Sequence, residues 1–361
     1  MSKTDETTAE AFDEAKFEAF LNGFFADLGA VMHAATVLIG DRVGLYKAMA
    51  DSRWYTPSEV AEQTATDPRY VREWLAAQAA SGYAEYDSAT ARFRLSPEQA
   101  LALTSEDNPF FAPGGLQVAA ATLADVDLVS EAFRSRRGVA WGDHHPDLTD
   151  GTLRFFRTNY LSHLTEQWLP ALDGAAESLR AGTTVADIGC GGGASTIIMA
   201  KAFSNSRFFG FDYDEGSIAK ARKGAAEAGV ADRCTFEVAT AKEFPGVEYG
   251  LVTVFDALHD MGDPTGVAAH VLEALAPDGI WMIVEPFAHD RFEDNLTPLG
   301  RIFYSASTTI CLPMSRAQEV DAALGAQAGE ARLREVVTAG GFTRFRRADQ
   351  TPFNLVLEAR P

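Results

Sequence analysis

The chain has 361 residues, long for one domain and comfortable for two. It carries 31 basic against 51 acidic residues, a net charge of −20, and a field of that sign repels nucleic acid and anionic lipid. The three cysteines (Cys190, Cys234, Cys311) are too few and too scattered for a disulfide framework or a zinc site. No uninterrupted apolar run of about 18 residues predicts a membrane span, and the polar, acidic N-terminus lacks a secretory profile, so the cytoplasm is expected.

Residues 1–14 are acidic and polar and are expected to be disordered. From Lys16 to Ala50 apolar residues recur at helical spacing: Phe17, Phe20, Leu21, Phe24, Phe25, Leu28, Val31 and Met32. So wide a stripe on a terminal helix fits a homodimer interface or packing inside one domain. Thr56-Pro57-Ser58-Glu59 and Asp67-Pro68 read as helix starts. Tyr83–Tyr86 and Arg92–Leu95, around the polar turn 87–90, read as a hairpin. Two helices and a hairpin make a winged helix-turn-helix. Between Thr36 and Thr104 stand seven basic and nine acidic residues. That gives no surplus of cations for DNA phosphates, although a DNA-binding regulator remains the alternative reading. The boundaries drawn are 15–107 for this domain, 108–175 for a helical linker contributing to the active site, and 176–361 for the domain that follows.

In the linker, the loop Trp141–Pro146 carries His144 and His145, adjacent residues of which at most one points into a site. Tyr160 follows on a helix. From Thr183 strand and helix signals alternate, with strands expected at 183–188, 207–212, 233–238, 249–255, 280–285, 342–349 and 352–359. Helices are expected at 194–203, 215–228, 264–276 and 330–339. This is an α/β pattern, a Rossmann-like doubly wound sheet with its ligand crevice at the strands' carboxyl ends. The stretch 286–327 is too long for an ordinary connection and reads as an inserted lid, with Tyr304, Cys311 and Met314 as pocket-wall or packing residues.

The most informative segment runs from Val185 to Thr196: an apolar strand, Asp187, glycines at 189, 191 and 193, then a helix. Gly189, Gly191 and Ala194 also satisfy the dinucleotide pattern, so an NAD oxidoreductase is a rival reading. A carboxylate two residues before the first glycine sits poorly beside a pyrophosphate. It suits a donor that carries an ammonium and a sulfonium. The residues resemble motif I, D-x-G-x-G-x-G, of class I S-adenosylmethionine (SAM) dependent methyltransferases. Leu258-His259-Asp260-Met261 resembles the L-H-D-W signature of small-molecule O-methyltransferases. The N-terminal module is similar to the dimerisation domain of those enzymes. The resemblance implies a seven-stranded methyltransferase sheet, S-adenosyl-L-homocysteine (SAH) as product, a small-molecule acceptor, and no resident metal.

The resemblance also implies roles for single residues. Asp187 and the main chain of Gly189, Cys190, Gly191 and Gly193 would face the donor's methionine end, with Tyr160 and Phe255 nearby. Asp212, an acid about 20 residues beyond the glycines, would take the ribose hydroxyls beside Tyr213. Thr240 and Ala241 stand where related enzymes carry an aspartate for the adenine, and Phe211, Tyr213 and Phe244 are expected to stack there instead. His259 would be the general base, since histidine titrates near neutrality. Asp256, Asp260, Asp263 or Glu285 would orient its ring. Glu285 ends an apolar strand and is the second catalytic residue. His144, His145, Asp256 and Tyr304 are substrate-contact candidates.

Overall fold

The computed structural model describes residues 12–361. The disorder expected for residues 1–14 falls outside the described residues up to position 11, and the chain is helical from Glu14. It divides into two compact units between Thr104 and Ser105.

The first unit holds α1 (Glu14–Arg42), α2 (Leu45–Ala48), α3 (Pro57–Thr64), α4 (Pro68–Ala80), the hairpin β1 (Glu85–Asp87) and β2 (Arg92–Arg94), and α5 (Pro97–Leu103). The single helix expected over 16–50 breaks at Gly44, which sits at φ +79° and ends the run before α2. Thr56 and Glu59 close a capping box on α3, and Asp67 caps α4. Trp74 lies so close over Gly40 that a Cβ there would be 2.4 Å from its ring. Buried Gln78 accepts from Tyr46 Oη at 2.6 Å and from the His33 ring at 3.1 Å, tying α1, α2 and α4 together. Arg69 pairs with Glu73, Arg92 with Glu59 and Arg94 with Glu85, so these cations of the would-be recognition helix and wing are already neutralised.

The stripe on α1 stays uncovered within this unit. Phe20, Phe24, Phe25 and Met32 are all more than half exposed. By length and composition α1 could also cross a membrane: its best 18 residues average a hydropathy of 1.5 and only 17% of them are buried. Alanines between the larger apolar residues keep the average high although polar residues and glycines interrupt the tract.

The second unit begins with α6 (Pro113–Ala124), α7 (Val126–Ser135) and α8 (Pro146–Asn159), followed by a π-helical stretch (Tyr160–Trp168), α9 (Leu169–Ala171) and α10 (Ala175–Ala181). These helices, the segment read from sequence as a helical linker over 108–175, belong to the unit that carries the sheet. The sheet has seven strands: β3 (Thr184–Ile188), β4 (Arg207–Asp212), β5 (Cys234–Val238), β6 (Tyr249–Phe255), β7 (Leu275–Pro286), β8 (Arg344–Gln350) and β9 (Asn354–Arg360). Their spatial order is β5-β4-β3-β6-β7-β9-β8. The pairs from β5 to β7 are parallel, and β9 runs antiparallel to both neighbours. Val185, Val252, Val254 and Ile283 are buried, as befits parallel strands covered on both faces. The covering helices are α11 (Ala194–Ala202), α12 (Glu215–Glu227) and α13 (Pro264–Ala274). The helix expected to reach 276 stops at Ala274 because β7 already starts at Leu275.

The chain leaves β3 toward β4 on one side and pairs with β6 on the other, so the switch point lies between β3 and β6. That is where an open α/β sheet opens a ligand crevice. The insert 286–327 folds as α14 (Pro298–Ala306), a π-helical turn (Ser307–Cys311) and α15 (Leu312–Arg316), before α16 (Gly329–Ala339). Ser315 Oγ donates to the Met261 carbonyl and Gln318 Nε2 to the Asp260 carbonyl, both at 3.0 Å. These bonds pin the insert to the loop that follows β6.

Candidate active site

The turn after β3 uses all three alternating glycines at positive φ: Gly189 at +68°, Gly191 at +51° and Gly193 at +77°. They serve different ends. A Cβ on Gly193 would meet Ala221 and Phe236 at 2.9 Å, so this glycine lets α11 pack closely. A Cβ on Gly191 would meet nothing within 4 Å, so open space lies beside the turn at this point. The amides of Gly189 and Cys190 donate to the Phe211 carbonyl at 2.8 and 3.0 Å, and that of Gly191 donates to Asp212 Oδ2 at 2.9 Å. The expected cradle of free amides over 189–191 is therefore corrected. These N–H groups hold the turn against β4, and what they leave for a ligand is shape. Cys190 is buried, and burial pushes its thiol well above the usual range.

Asp187 also departs from expectation. Its carboxylate is 1% exposed and accepts from Ser195 Oγ at 2.7 Å, Thr196 Oγ1 at 2.6 Å and Thr253 Oγ1 at 2.9 Å. Three of the protein's own hydroxyls satisfy it, so it anchors the first turn of α11 to β3 and β6. Asp212 ends β4 and takes the amides of Gly191 and Asp214, at 2.9 Å each. Burial raises its pKa, and the two amides work against that rise. Tyr213 beside it is partly exposed. Thr240 is exposed and gives its hydroxyl to Glu243 at 2.9 Å. Phe211 and Phe244 are each 1% exposed with ring centroids 5.4 Å apart, so they are core residues and not an adenine platform.

His259 lies on a 3₁₀ turn (Leu258–Asp260) just beyond β6 and is 3% exposed. Its Nδ1–H donates to Glu285 Oε2 at 2.5 Å, and Glu285 Oε1 accepts the Leu258 amide at 2.9 Å. One carboxylate at the end of β7 thus fixes both the ring and its loop. Nε2 stands 3.1 Å from Asp260 Oδ1. Burial favours the neutral ring, but the carboxylates of Asp260 and Glu285 outweigh it and hold the imidazolium well above the usual histidine range. Asp263 is turned elsewhere: it caps α13 and pairs with Lys242 at 2.9 Å.

Asp256 directly follows β6 and is part-buried among charged groups. It is a non-glycine residue at φ +49°. Its Oδ1 accepts from Asn354 Nδ2 at 2.7 Å, while Oδ2 is buried without a partner among the described residues. Burial and then the nearby Glu285 carboxylate drive its pKa well above the usual range. The buried Tyr160 hydroxyl lies within electrostatic reach of both Asp256 and Asp187, and its ring packs on Phe255 at 5.1 Å.

The two adjacent histidines separate as expected. His144 is buried, with Nδ1–H donating to Asp125 Oδ2 at 2.9 Å and Nε2 buried without a partner among the described residues. His145 turns outward and caps α8, accepting from the Asp147 amide. Tyr304 is part-buried and packs its ring on the exposed Phe292. Asp125 and Asn354 were not legible as site residues, and Cys311 was legible only as a pocket-wall or packing residue. Each reaches its partner across 19 to 98 positions of sequence.

Comparison with known proteins agrees with this layout. Residues 179–327 match the family model described as a methyltransferase domain, and residues 31–105 match that of an Rv2258c-like winged helix-turn-helix domain. A 27-O-demethylrifamycin SV methyltransferase of Amycolatopsis mediterranei is 36% identical over 103 residues, which cover 28% of this chain and 38% of that protein. A ubiquinone biosynthesis O-methyltransferase of Methylococcus capsulatus is 34% identical over 106 residues, 29% of this chain and 44% of that one. These matches thus span less than half of either relative. Among solved structures, mitomycin 7-O-methyltransferase aligns with a TM-score of 0.69 at 16% identity, covering 97% of this chain and 100% of that one. Human N-acetylserotonin methyltransferase in complex with SAM aligns with a TM-score of 0.69 at 15% identity, covering 98% and 99%. At such identities the alignments show a shared fold, and the family matches say what its parts are: the chain joins an N-terminal winged helix-turn-helix domain to a methyltransferase domain.

Proposed function

We propose that this protein is a SAM-dependent methyltransferase that methylates a hydroxyl group of a small molecule, with His259 as general base and SAH as the second product. The observation that carries this reading is the buried His259–Glu285 pair at the carboxyl end of β6, next to the glycine turn of β3. The donor fits the crevice. Open space lies beside Gly191, Asp212 stands at the end of β4, and the orphaned Oδ2 of Asp256 awaits a donor group or a cation. Asp256, Asp260 and Glu285 surround one imidazole. The carboxylates of Asp260 and Glu285 give the site negative charge that complements a cationic sulfonium, which would supply an activated methyl carbon when bound.

Glu285 keeps Nδ1 protonated; once the Nε2 proton of the resting imidazolium has left, the proton taken from the acceptor goes to Nε2. The acceptor oxygen takes the place of Asp260 beside Nε2. The acceptor frame is apolar, because Leu148, Ile310, Cys311 and Met314 form one buried cluster against which Trp141 and Phe303 pack. His144 Nε2 supplies a second polar anchor for it. A similar protein is named a 27-O-demethylrifamycin SV methyltransferase and a similar structure a mitomycin 7-O-methyltransferase, both names of transfer to oxygen, which supports a hydroxyl acceptor. The three cysteines are free and buried, in keeping with a reducing compartment, and we place the protein in the cytoplasm. We assign the α1 stripe to a homodimer interface, a reading that its exposed aromatic face supports.

His259→Ala tests the assignment. SAH formation from a panel of aromatic hydroxyl acceptors is expected to fall about 10²–10⁴-fold, with SAH affinity by calorimetry unchanged. Unchanged turnover in this variant would move the acceptor to nitrogen, sulfur or carbon.

A further inference from the structure

Cys311 is not confined to packing the insert. Its Sγ, the His259 ring nitrogen and an Asp260 carboxylate oxygen all lie within 4.8 Å of one another, and two of these residues are buried. We propose that His259 Nε2, Asp260 and Cys311 form a binding site for a soft divalent cation of the zinc class, which on binding captures the nitrogen that would otherwise take the acceptor's proton.

Several features of the cluster suit a metal better than chance proximity would. The 3.1 Å separation of Nε2 and Asp260 Oδ1 is close to the spacing of two neighbouring ligands on a tetrahedral ion with bonds of about 2.0–2.2 Å. Despite that distance, Oδ1 makes no well-formed hydrogen bond and is shielded from solvent. A buried carboxylate oxygen is thus aimed at the cluster, where its one close charged neighbour among the described residues is the His259 ring. Glu285 holds Nδ1–H from behind at 2.5 Å, the outer carboxylate that orients a metal-ligating histidine and makes it a stronger ligand. Thiolate and imidazole together favour zinc over magnesium or calcium. Three protein ligands leave the fourth position open toward the acceptor space. The ligands come from the loop after β6 and from the insert, which Ser315 and Gln318 already fasten together, so the site needs little rearrangement.

Binding is an exchange of ions without redox change. The cation enters, the Cys311 thiol proton and the Nε2 proton leave to solvent, and Zn–S, Zn–N and Zn–O bonds form. The site rests on geometry alone; only its effect on turnover rests on the base assignment above.

The test titrates chelator-treated full-length protein with Zn²⁺ by calorimetry and with Co²⁺ by absorption. One ion per chain is expected, with the intense ligand-field bands of tetrahedral Co²⁺ and a thiolate charge-transfer band. Cys311→Ser, close in size to the native residue, is expected to abolish the charge-transfer band and weaken Zn²⁺ at least about tenfold. Cys234→Ser is expected to change neither. Glu285→Gln is expected to weaken Zn²⁺ by about 10–100-fold. In ¹⁵N spectra of the histidine side chains, His259 Nε2 is expected to shift on adding Zn²⁺. No bound ion, a charge-transfer band that survives Cys311→Ser, or an unmoved Nε2 signal would overturn the site. The His259→Ala turnover measurement decides the base assignment independently, so the two fail separately.

Discussion

Asp187 and Asp212 end neighbouring strands, and the sequence gives both as acids aimed at one ligand. Their surroundings assign them opposite tasks. Asp187 is consumed by Ser195, Thr196 and Thr253, one of them 66 residues away, which no spacing rule anticipates. Asp212 spends one lone pair on each of two amides and keeps the rest of its acceptor capacity. Asp212→Asn is therefore expected to weaken SAH binding about 10–100-fold by calorimetry, the loss of charge-assisted hydrogen bonds worth about 1.5–3 kcal/mol. Thermal unfolding should move little, because the amide side chain still accepts one of the two backbone bonds. At Gly191 two penalties coincide. Its φ of +51° is costly for any residue with a Cβ, by roughly 1–2 kcal/mol. The open space beside it is also the proposed ligand's. Gly191→Ala should lower stability by that amount in denaturant titrations and weaken SAH further than the stability loss explains. Wild-type affinity in this variant would place the ligand elsewhere.

The helix α13 shows the same division of labour within an element. Asp263 has the right sequence position to orient His259, yet its Oδ1 accepts the Gly266 amide at 2.9 Å and its Oδ2 binds Lys242. Burial pushes its pKa up, but the amide and the ammonium prevail and hold the carboxyl below the ordinary Asp range. A lowered folded-state pKa stabilises the protein at pH values above the unfolded-state pKa, and that contribution is lost as pH falls through the folded-state value. Asp263→Ala should cost about 1 kcal/mol at neutral pH, a shift of roughly 2–4 °C in melting temperature. The gap to wild type should stay constant above the ordinary carboxylate range and close as the solution is acidified below it. Elements of this kind are legible in sequence because their signals are local: a cap, a proline at the first turn, an apolar period. The seven strands follow the alternating pattern for that reason. The site is only half legible. Gly189–Gly193, Asp212 and His259 announce themselves in short motifs. The partners that decide their chemistry, Asp125 for His144 and Cys311 for His259, meet them only through tertiary packing.

At the scale of the whole molecule, α1 exposes more apolar surface than solubility alone favours. Phe17, Phe24 and Val31 repeat every seven residues, as do Phe25, Met32 and Ile39, and these six are exposed in adjacent rows. A face of that width on a helix of 29 residues matches what two copies need to bury a common seam. A membrane would accept the same face, since its hydropathy suffices. The two destinations differ in a measurable way. A seam between copies is saturated in the dimer and leaves no binding to lipid vesicles, whereas a membrane-seeking helix binds vesicles in proportion to its apolar area. Light scattering behind a sizing column should give about twice the 38.9 kDa chain mass for the wild type, without detergent. Phe20→Glu with Phe24→Glu should give a monomer that still binds SAH, because the second unit has its own core around Val185 and Trp281. A wild-type monomer that floats with neutral vesicles would overturn the dimer and give α1 to the membrane.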